Sequence, residues 1–261
     1  MKLDYCFHTH TSRCGHASGL DEEYVVSAIK AGIRYLGFSD HVFLPHVIQP
    51  HMRGDISCLE DYLNSVSFLK EKYKDQIDLC VGFECEYSSK FTRYYKKLLD
   101  KNLVDYLILG QHCSFDDKYI PHWYFYHDCP DTCAIEYTNN LLRGMRSGLF
   151  KYVCHPDLFL SPYKSWTPML EKCAKRIFLE AEKRKIPLEI NMGGFRKKRW
   201  QKEEYLGYPN KRFWEMSKKY DIEIVVGVDA HEPNEFNKED IDEILTWCDS
   251  IGLKVNLNFR I

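Results

Sequence analysis

The chain has 261 residues, of which 44% are hydrophobic and 15% aromatic, enough to build one large domain with a full core. Its formal net charge of −2 argues against a general affinity for nucleic acid or an acidic membrane surface. It has neither an apolar run long enough to span a bilayer nor an apolar signal segment at its start. Its eleven cysteines suit a reduced compartment better than a disulfide framework, and we expect a cytoplasmic protein.

Short apolar segments of strand character alternate along the chain with segments of helical periodicity. Strands are predicted around Tyr5–Phe7 and at 35–39, 79–83, 106–109, 152–154, 188–191 and 222–228. Helical spacing is found at 20–32, 59–69, 91–99, 131–147 and 167–185, around Phe213 and Trp214, and at 241–251. This alternation is typical of parallel β/α units.

Polar residues follow the predicted strands with unusual regularity. Six of the seven strands are followed within three residues by His, Asp or Glu, and the seventh by a glycine turn and Arg196. An open doubly wound sheet would gather functional residues at one switch point, whereas contributions from every strand end indicate a closed barrel. The sequence therefore predicts an α/β fold with seven β/α units in a single domain over residues 1–261. Its functional face lies at the carboxyl ends of the strands, and the terminal helix at 241–251 and the tail at 254–259 are expected to be peripheral.

The clearest chemical signal lies near the start of the chain. His8 and His10 are two residues apart after a strand-like segment, which places both imidazoles on one face, and His16 follows a Cys-Gly turn. Converging neutral imidazoles are suited to a divalent metal ion. A histidine at a strand end is often simply a core residue bonded to backbone, and a glutamate there is often only solvated. The coincidence at all strand ends favours the metal site.

These segments together resemble the polymerase and histidinol phosphatase superfamily, in particular its stand-alone histidinol-phosphate phosphatases. The matching segments occur in family order and cover most of the chain: His8-Thr-His10 with Cys14-Gly-His16, Ser39-Asp-His41, Gly82-Phe-Glu84, Gly110-Gln-His112, His155-Pro-Asp157, Glu189-Ile-Asn191 through Arg196, and Gly227-Val-Asp229-Ala-His231. The resemblance implies a distorted (β/α)7 barrel that holds three divalent metal ions, of which zinc, manganese and iron all suit nitrogen and oxygen ligands.

The same resemblance implies a ligand set. One ion would be bound by His8, His10, Glu84 and Asp229. A second would share Glu84 and add His112 and His155. The third would be bound by His16, His41 and His231. Asp229 is then the candidate proton acceptor and Glu84 the bridging carboxylate, while Arg196 and Arg53 are candidate phosphate-binding residues.

The activity implied is hydrolysis of a phosphoric monoester, L-histidinol phosphate, to L-histidinol and phosphate. The expected partner is this small phosphate ester, with no nucleic acid and no membrane. The imidazole and amine of such a substrate would suit the aromatic and acidic residues of the predicted loops, which include Phe43, His46, Phe115, Trp123, Tyr124, Phe195, Glu86, Asp116 and Asp117.

Three other functions are compatible with this pattern. The first is a phosphatase acting on another small monoester. The second is a phosphodiesterase or exonuclease like the polymerase-linked members of the superfamily, which the near-neutral charge disfavours. The third is a non-catalytic metal-binding protein, which the presence of a suitable residue at every ligand position disfavours.

Overall fold

The structure is a computed structural model that describes residues 2–126, 132–198 and 204–261. Its main element is a curled parallel sheet, flanked by helices. Four strands pair in sequence order and in parallel: β1 Tyr5–Cys6, β2 Tyr35–Phe38, β3 Asp78–Cys85 and β4 Tyr106–Leu109. An antiparallel hairpin follows, made of β5 Cys113–Phe115 and β6 Pro121–Trp123. The last two strands, β7 Leu188–Asn191 and β8 Ile224–Gly227, pair in parallel.

The helices lie between these strands, largely where the apolar spacing predicts them. Their bounds are α1 Asp21–Ala31, α2 Cys58–Lys72, α3 Thr92–Asp100, α4 Thr132–Ser147, α5 Pro168–Arg184, α6 Met192–Lys198, α7 Lys211–Ser217 and α8 Lys238–Ser250. The start of α5 illustrates how local sequence sets a helix boundary. Thr167 accepts a hydrogen bond from the Leu170 amide, and Pro168 occupies the first turn, where its missing N–H costs nothing.

The glycine turn predicted after residue 191 is instead the short helix α6. The Asn191 side chain accepts a hydrogen bond from the Gly194 amide, so Asn191 caps the helix and the two glycines lie in its first turn. This helix carries Arg196 directly behind β7.

The strand predicted at 152–154 is reduced to a single bridging residue. Val153 pairs in parallel with Leu109 at the end of β4 and with Leu188 at the start of β7. A further parallel bridge joins Thr9, just after β1, to Ala230, just after β8. These contacts continue the curled sheet beyond its regular strands.

The sequence analysis expected the segment after α8 to be peripheral, but in the structure it covers the amino-terminal end of the sheet. The Phe259 ring is 8% exposed and packs edge-on against Tyr5, Phe7 and Tyr152 at centroid distances of 5.8, 6.0 and 5.9 Å. The Tyr5 hydroxyl donates a hydrogen bond to the Asn256 carbonyl. The tail therefore belongs to the core.

We expect Phe259→Ala to lower the free energy of unfolding by about 3 kcal/mol, because it removes a buried ring and leaves a cavity among three aromatic side chains. Urea denaturation would measure this loss. Ile48→Ala is the matched control, since Ile48 is 86% exposed and its truncation should change stability by less than about 0.5 kcal/mol. Equal effects of the two substitutions would show that the tail is peripheral after all.

The character of the helices and the state of the cysteines can also be read from the structure. Within the described residues, none of the helices combines the length and apolar character needed to cross a lipid bilayer. In the part of the chain that the structure describes, nine cysteines are free thiols, whereas Cys133 is disulfide-bonded.

Candidate metal centre

The structure brings together all nine side chains that were predicted to bind metal. Each follows or ends a strand or bridge of the parallel sheet, apart from His16, which follows a short 3-10 helix. The His10 ring centroid is 4.2 Å from that of His231 and 4.4 Å from that of His41. On the other side of the cluster, the His112 and His155 centroids are 4.9 Å apart.

Glu84 lies at the centre of this cluster. Its Oε2 atom is 3.0 Å from His41 Nδ1 and 3.5 Å from the Nε2 atoms of His8 and His10. Its Oε1 atom is 2.7 Å from His155 Nε2 and 3.3 Å from His112 Nε2. The two oxygens thus face different groups of imidazoles, which is the arrangement expected of a bridging carboxylate.

Asp229 faces the same cluster from the end of β8. Its Oδ1 atom is 3.1 Å from His10 Nε2 and 3.4 Å from His8 Nε2. Its backbone has a φ of 52°, in the left-handed region that costs a non-glycine residue energy. The Asp229 amide donates to the His8 carbonyl, so pairing with the segment after β1 helps to hold this conformation. Such strain concentrates at functional sites.

His16, His41 and His231 do not form a group separate from the rest. His16 Nε2 is 2.9 Å from His231 Nε2, as expected of side chains that bind one ion. The His41 ring, however, lies between the two groups: its centroid is 5.4 Å from that of His16 and 5.1 Å from that of His112. The cluster is therefore more compact than three separate ligand sets.

The residues present fit divalent metal ions. Several groups of side chains at the cluster have ligand atoms that all lie within 4.8 Å of one another, among them His8 with Glu84, Cys154 and His155; His8 with His10 and Asp229; and His10 with His41 and His231. The Nε2 atoms of His8 and His10 are buried and have no hydrogen-bond partner among the described residues. Buried polar atoms are normally paired, so these nitrogens are better explained as metal ligands.

Burial and mutual charge set the protonation of the cluster. Burial alone would raise the pKa of Glu84, but His112, His41 and His8 hold that pKa well below its ordinary range. Burial lowers the pKa of His41, and the neighbouring His10 adds to this effect. Burial also tends to lower the pKa of His10, yet Asp229 and Asp40 raise it to about 9.

Metal uptake at pH 7 should therefore release protons. Without metal, His10 is protonated below its pKa of about 9, and the pKa of His8 is also raised well above its ordinary value by Glu189 and Asp229 against the effect of burial. Metal binds the neutral imidazole, so binding expels these protons, and metal affinity should rise with pH up to that value. Calorimetric titration in two buffers of different ionisation enthalpy measures the release. Identical binding enthalpies in both buffers would contradict it.

Two carboxylates that the sequence analysis did not assign orient histidines that were predicted to bind metal. Both oxygens of Glu189 lie within 3.0 Å of His8 Nδ1. The Glu86 Oε1 atom lies 3.0 Å from His112 Nδ1. Each leaves the histidine Nε2 atom facing Glu84, as carboxylates behind metal-binding histidines do. Their position at strand ends beside ligands was the available signal, and Glu86 had been considered only for a substrate amine or for solvent.

Arg53 is not placed as a phosphate-binding residue. Its side chain is fully buried, and its NH2 atom donates to both oxygens of Glu86 at 2.9 Å. It does not line the cavity at the cluster. The sequence showed a cation in a loop but could not show that it would be buried or which carboxylate it would pair with.

Arg196 does face the cavity. Its NH2 atom donates to the carbonyls of Val228 and Asp229, each at 3.0 Å, and its Nε atom lies 2.8 Å from Glu235 Oε1. Its NH1 atom is buried and has no hydrogen-bond partner among the described residues. Arg196 thus supports the backbone of Asp229 at the wall of the cavity.

The cluster opens into a cavity of about 1000 Å³. Its aromatic lining is Phe125, Tyr126, Tyr205 and Tyr208. Phe43, Phe115 and Tyr124, which were expected near the substrate, are buried in the core instead, because each packs against other aromatic rings. These three rings therefore do not face the cavity, whose aromatic lining comes from other residues.

The comparisons with known proteins agree with this geometry. The PHP domain family model matches residues 7–193. A probable histidinol-phosphatase of Deinococcus radiodurans is 27% identical over 97% of this chain and 96% of its own length. The histidinol-phosphatase of Bacillus subtilis is 30% identical over 36% of this chain and 37% of its own length.

Among solved structures, the histidinol phosphate phosphatase of Lactococcus lactis in complex with zinc, L-histidinol and phosphate has a TM-score of 0.73. The match covers 98% of this chain and 96% of that one at 17% identity, and it shows a shared fold. Asp229 and His231 lie beyond the part that the PHP model matches, and their place in the cluster rests on the geometry. Because the PHP domain family model matches more than half of the sequence, the chain belongs to the PHP domain family.

Proposed function

We propose that the chain is a metal-dependent histidinol-phosphatase, which hydrolyses L-histidinol phosphate to L-histidinol and phosphate. The observation that carries this proposal is the convergence of seven histidines, Glu84 and Asp229 on one cavity. The proposal is supported by relatives that are named histidinol-phosphatases, one of which is similar in sequence over almost the whole chain.

We further propose that the fold is a distorted (β/α)7 barrel, that residues 1–261 form one domain, and that the metal centre lies at the carboxyl ends of the strands. The bridges of Val153 to Leu109 and Leu188, and of Thr9 to Ala230, support closure, because they join the edges of the regular sheets. The ligands follow the strands in chain order, which supports the location of the centre.

We propose three divalent ions, zinc, manganese or iron, bound by His8, His10, His16, His41, Glu84, His112, His155, Asp229 and His231. The imidazole and carboxylate donors suit all three metals. When bound, such ions lower the pKa of water and neutralise phosphoryl oxygens.

The side chains of the cavity then divide the remaining work. The Asp229 carboxylate is charged, because His8 and His10 overcome the effect of burial and keep its pKa well below the ordinary range. It is therefore positioned to accept the proton of the attacking water. Arg196 holds the Asp229 carbonyl through NH2, and its guanidinium lines the cavity beside Asp229, where its positive charge favours a bound phosphate. The aromatic lining supplies flat surfaces against which an imidazole can pack.

Arg196→Lys should raise KM for the phosphomonoester by about tenfold or more, because an ammonium cannot reproduce the planar fork that contacts Asp229, Glu235 and the phosphate. Steady-state kinetics with metal analysis on the same sample would measure this. Metal content should stay at the wild-type value. An unchanged KM would remove Arg196 from the phosphate site.

A direct test of metal dependence and bond specificity uses the purified protein with nitrophenyl esters. Chelation should abolish hydrolysis of nitrophenyl phosphate, and divalent metal should restore it. Bis-nitrophenyl phosphate should be hydrolysed more slowly than the monoester. Activity that survives complete removal of metal, or a preference for the diester, would contradict the proposed function.

A further inference from the structure

Arg53 is the most deeply buried cation beside the metal centre, and each of its nitrogens is committed. Its Nε donates to Gln49 Oε1 at 2.6 Å, its NH1 to the Val42 carbonyl at 3.0 Å, and its NH2 to both oxygens of Glu86 at 2.9 Å. Burying an ion pair is costly, and apolar residues of similar size often stabilise a fold as well or better. Stability alone therefore does not account for this pair.

The acidic end of the pair continues directly to a proposed metal ligand. Both oxygens of Glu86 accept from Arg53 NH2, and Glu86 Oε1 also lies 3.0 Å from His112 Nδ1. Arg53 therefore holds the Glu86 carboxylate where it can accept a hydrogen bond from His112 Nδ1. The opposite ring atom, His112 Nε2, is left 3.3 Å from Glu84. Arg53 therefore acts on His112 through Glu86.

The same guanidinium also supports a second ligand segment. The Val42 carbonyl that accepts from Arg53 directly follows His41, and the His41 and His112 rings are 5.1 Å apart. Arg53 thus ties together the backbone beside one ligand and the side chain behind another. The comparable pair of His8 and Glu189 differs: among the described residues no arginine or lysine pairs with Glu189, which accepts from the neutral Asn191 amide.

We propose that Arg53 is a positioning residue, and that the buried Arg53–Glu86 pair sets the affinity of the centre for the ion bound by His112. This inference rests on the metal centre of the proposed function. Carboxylates that orient metal-binding histidines typically contribute about 10–100-fold to affinity. We expect this contribution to fall on one ion, since Glu86 contacts one ligand.

The test is metal binding by Glu86→Gln and Arg53→Met, measured by competition of zinc between the protein and a chromogenic chelator. We expect both variants to bind one ion about 10–100-fold more weakly and to keep wild-type affinity for the others. Excess zinc should restore kcat, which a general folding defect would not allow. Glu86→Gln keeps the size of the side chain, so it answers the question if Arg53→Met does not fold.

A double variant shows whether Glu86 acts through His112. Glu86→Gln added to His112→Ala should leave the remaining affinities as they are in His112→Ala alone. Arg260→Met is the matched control, because Arg260 pairs with Asp4 at the other end of the sheet. This substitution should leave zinc affinity unchanged.

Unchanged zinc affinity in both single variants, or an equal weakening of all ions, would overturn the proposal. So would a further loss when the two substitutions are combined. The zinc-affinity measurements need no substrate, so a failure to hydrolyse histidinol phosphate would refute the proposed function without affecting them.

Discussion

Glu84→Gln should lower kcat/KM for phosphate monoesters by at least about 10²–10³-fold, the range seen when one preorganised electrostatic group is removed from an active site. Glu84 lies within 3.5 Å of five imidazoles. The substitution removes a negative charge and replaces one carboxylate oxygen with an NH2 group. This group is a hydrogen-bond donor, and an imidazole nitrogen that binds metal cannot accept from it. More than one ion should be lost or weakened, and elemental analysis of the purified variant would show it.

His16→Ala is the appropriate comparison. The His16 ring lies at the exposed edge of the cluster, where its Nε2 atom contacts His231. Its removal should disturb one ion and cost less activity than Glu84→Gln. Near wild-type turnover in Glu84→Gln, together with complete loss in His16→Ala, would show that Glu84 does not bridge ions.

Gly110→Ala should reduce activity almost as much as Glu84→Gln, although residue 110 is not itself a proposed ligand. A Cβ atom at residue 110 would lie 2.0 Å from Glu84 Oε1 and 2.7 Å from Glu84 Cδ. Because Glu84 is enclosed by histidines, it cannot yield without moving its oxygens away from them. We expect reduced metal content and a fall in kcat/KM of about 10²-fold or more, with the circular dichroism spectrum of a folded protein.

Gly148→Ala controls for the general effect of adding a methyl group. A Cβ atom there would meet nothing within 4 Å, and only its φ of +70° is unfavourable, a cost of about 1–2 kcal/mol. Its metal content and activity should match those of the wild type. Full metal content in Gly110→Ala would mean that Glu84 has room that the structure does not show.

The clustering of the nine proposed ligands could be predicted from sequence, because their positions are tied to local sequence pattern. A polar residue just after a short apolar strand has its position set by that strand, as for His41 after β2 and Asp229 after β8. Parallel strands bring such residues to one edge whatever the exact register. The approximate positions of the helices followed from apolar spacing for the same local reason.

What could not be predicted depends on contacts between distant segments. The partner of Arg53 is 33 residues away in sequence, and no local pattern connects a loop cation to the carboxylate at the end of β3. Phe259 reaches Tyr5 from the opposite end of the chain, so the tail resembled a loose end. At Val153, pairing on both sides is limited to one residue because the chain turns at once into His155, whose φ is 32°.

Steady-state hydrolysis of L-histidinol phosphate by the metal-reconstituted protein, compared with nitrophenyl phosphate, tests the proposed function most directly. We expect kcat/KM for L-histidinol phosphate to fall in the ordinary enzyme range of about 10⁴–10⁸ M⁻¹s⁻¹ and to exceed that for nitrophenyl phosphate, with L-histidinol and phosphate released in equal amounts. Turnover of L-histidinol phosphate no faster than that of nitrophenyl phosphate, and far below that range, would contradict it.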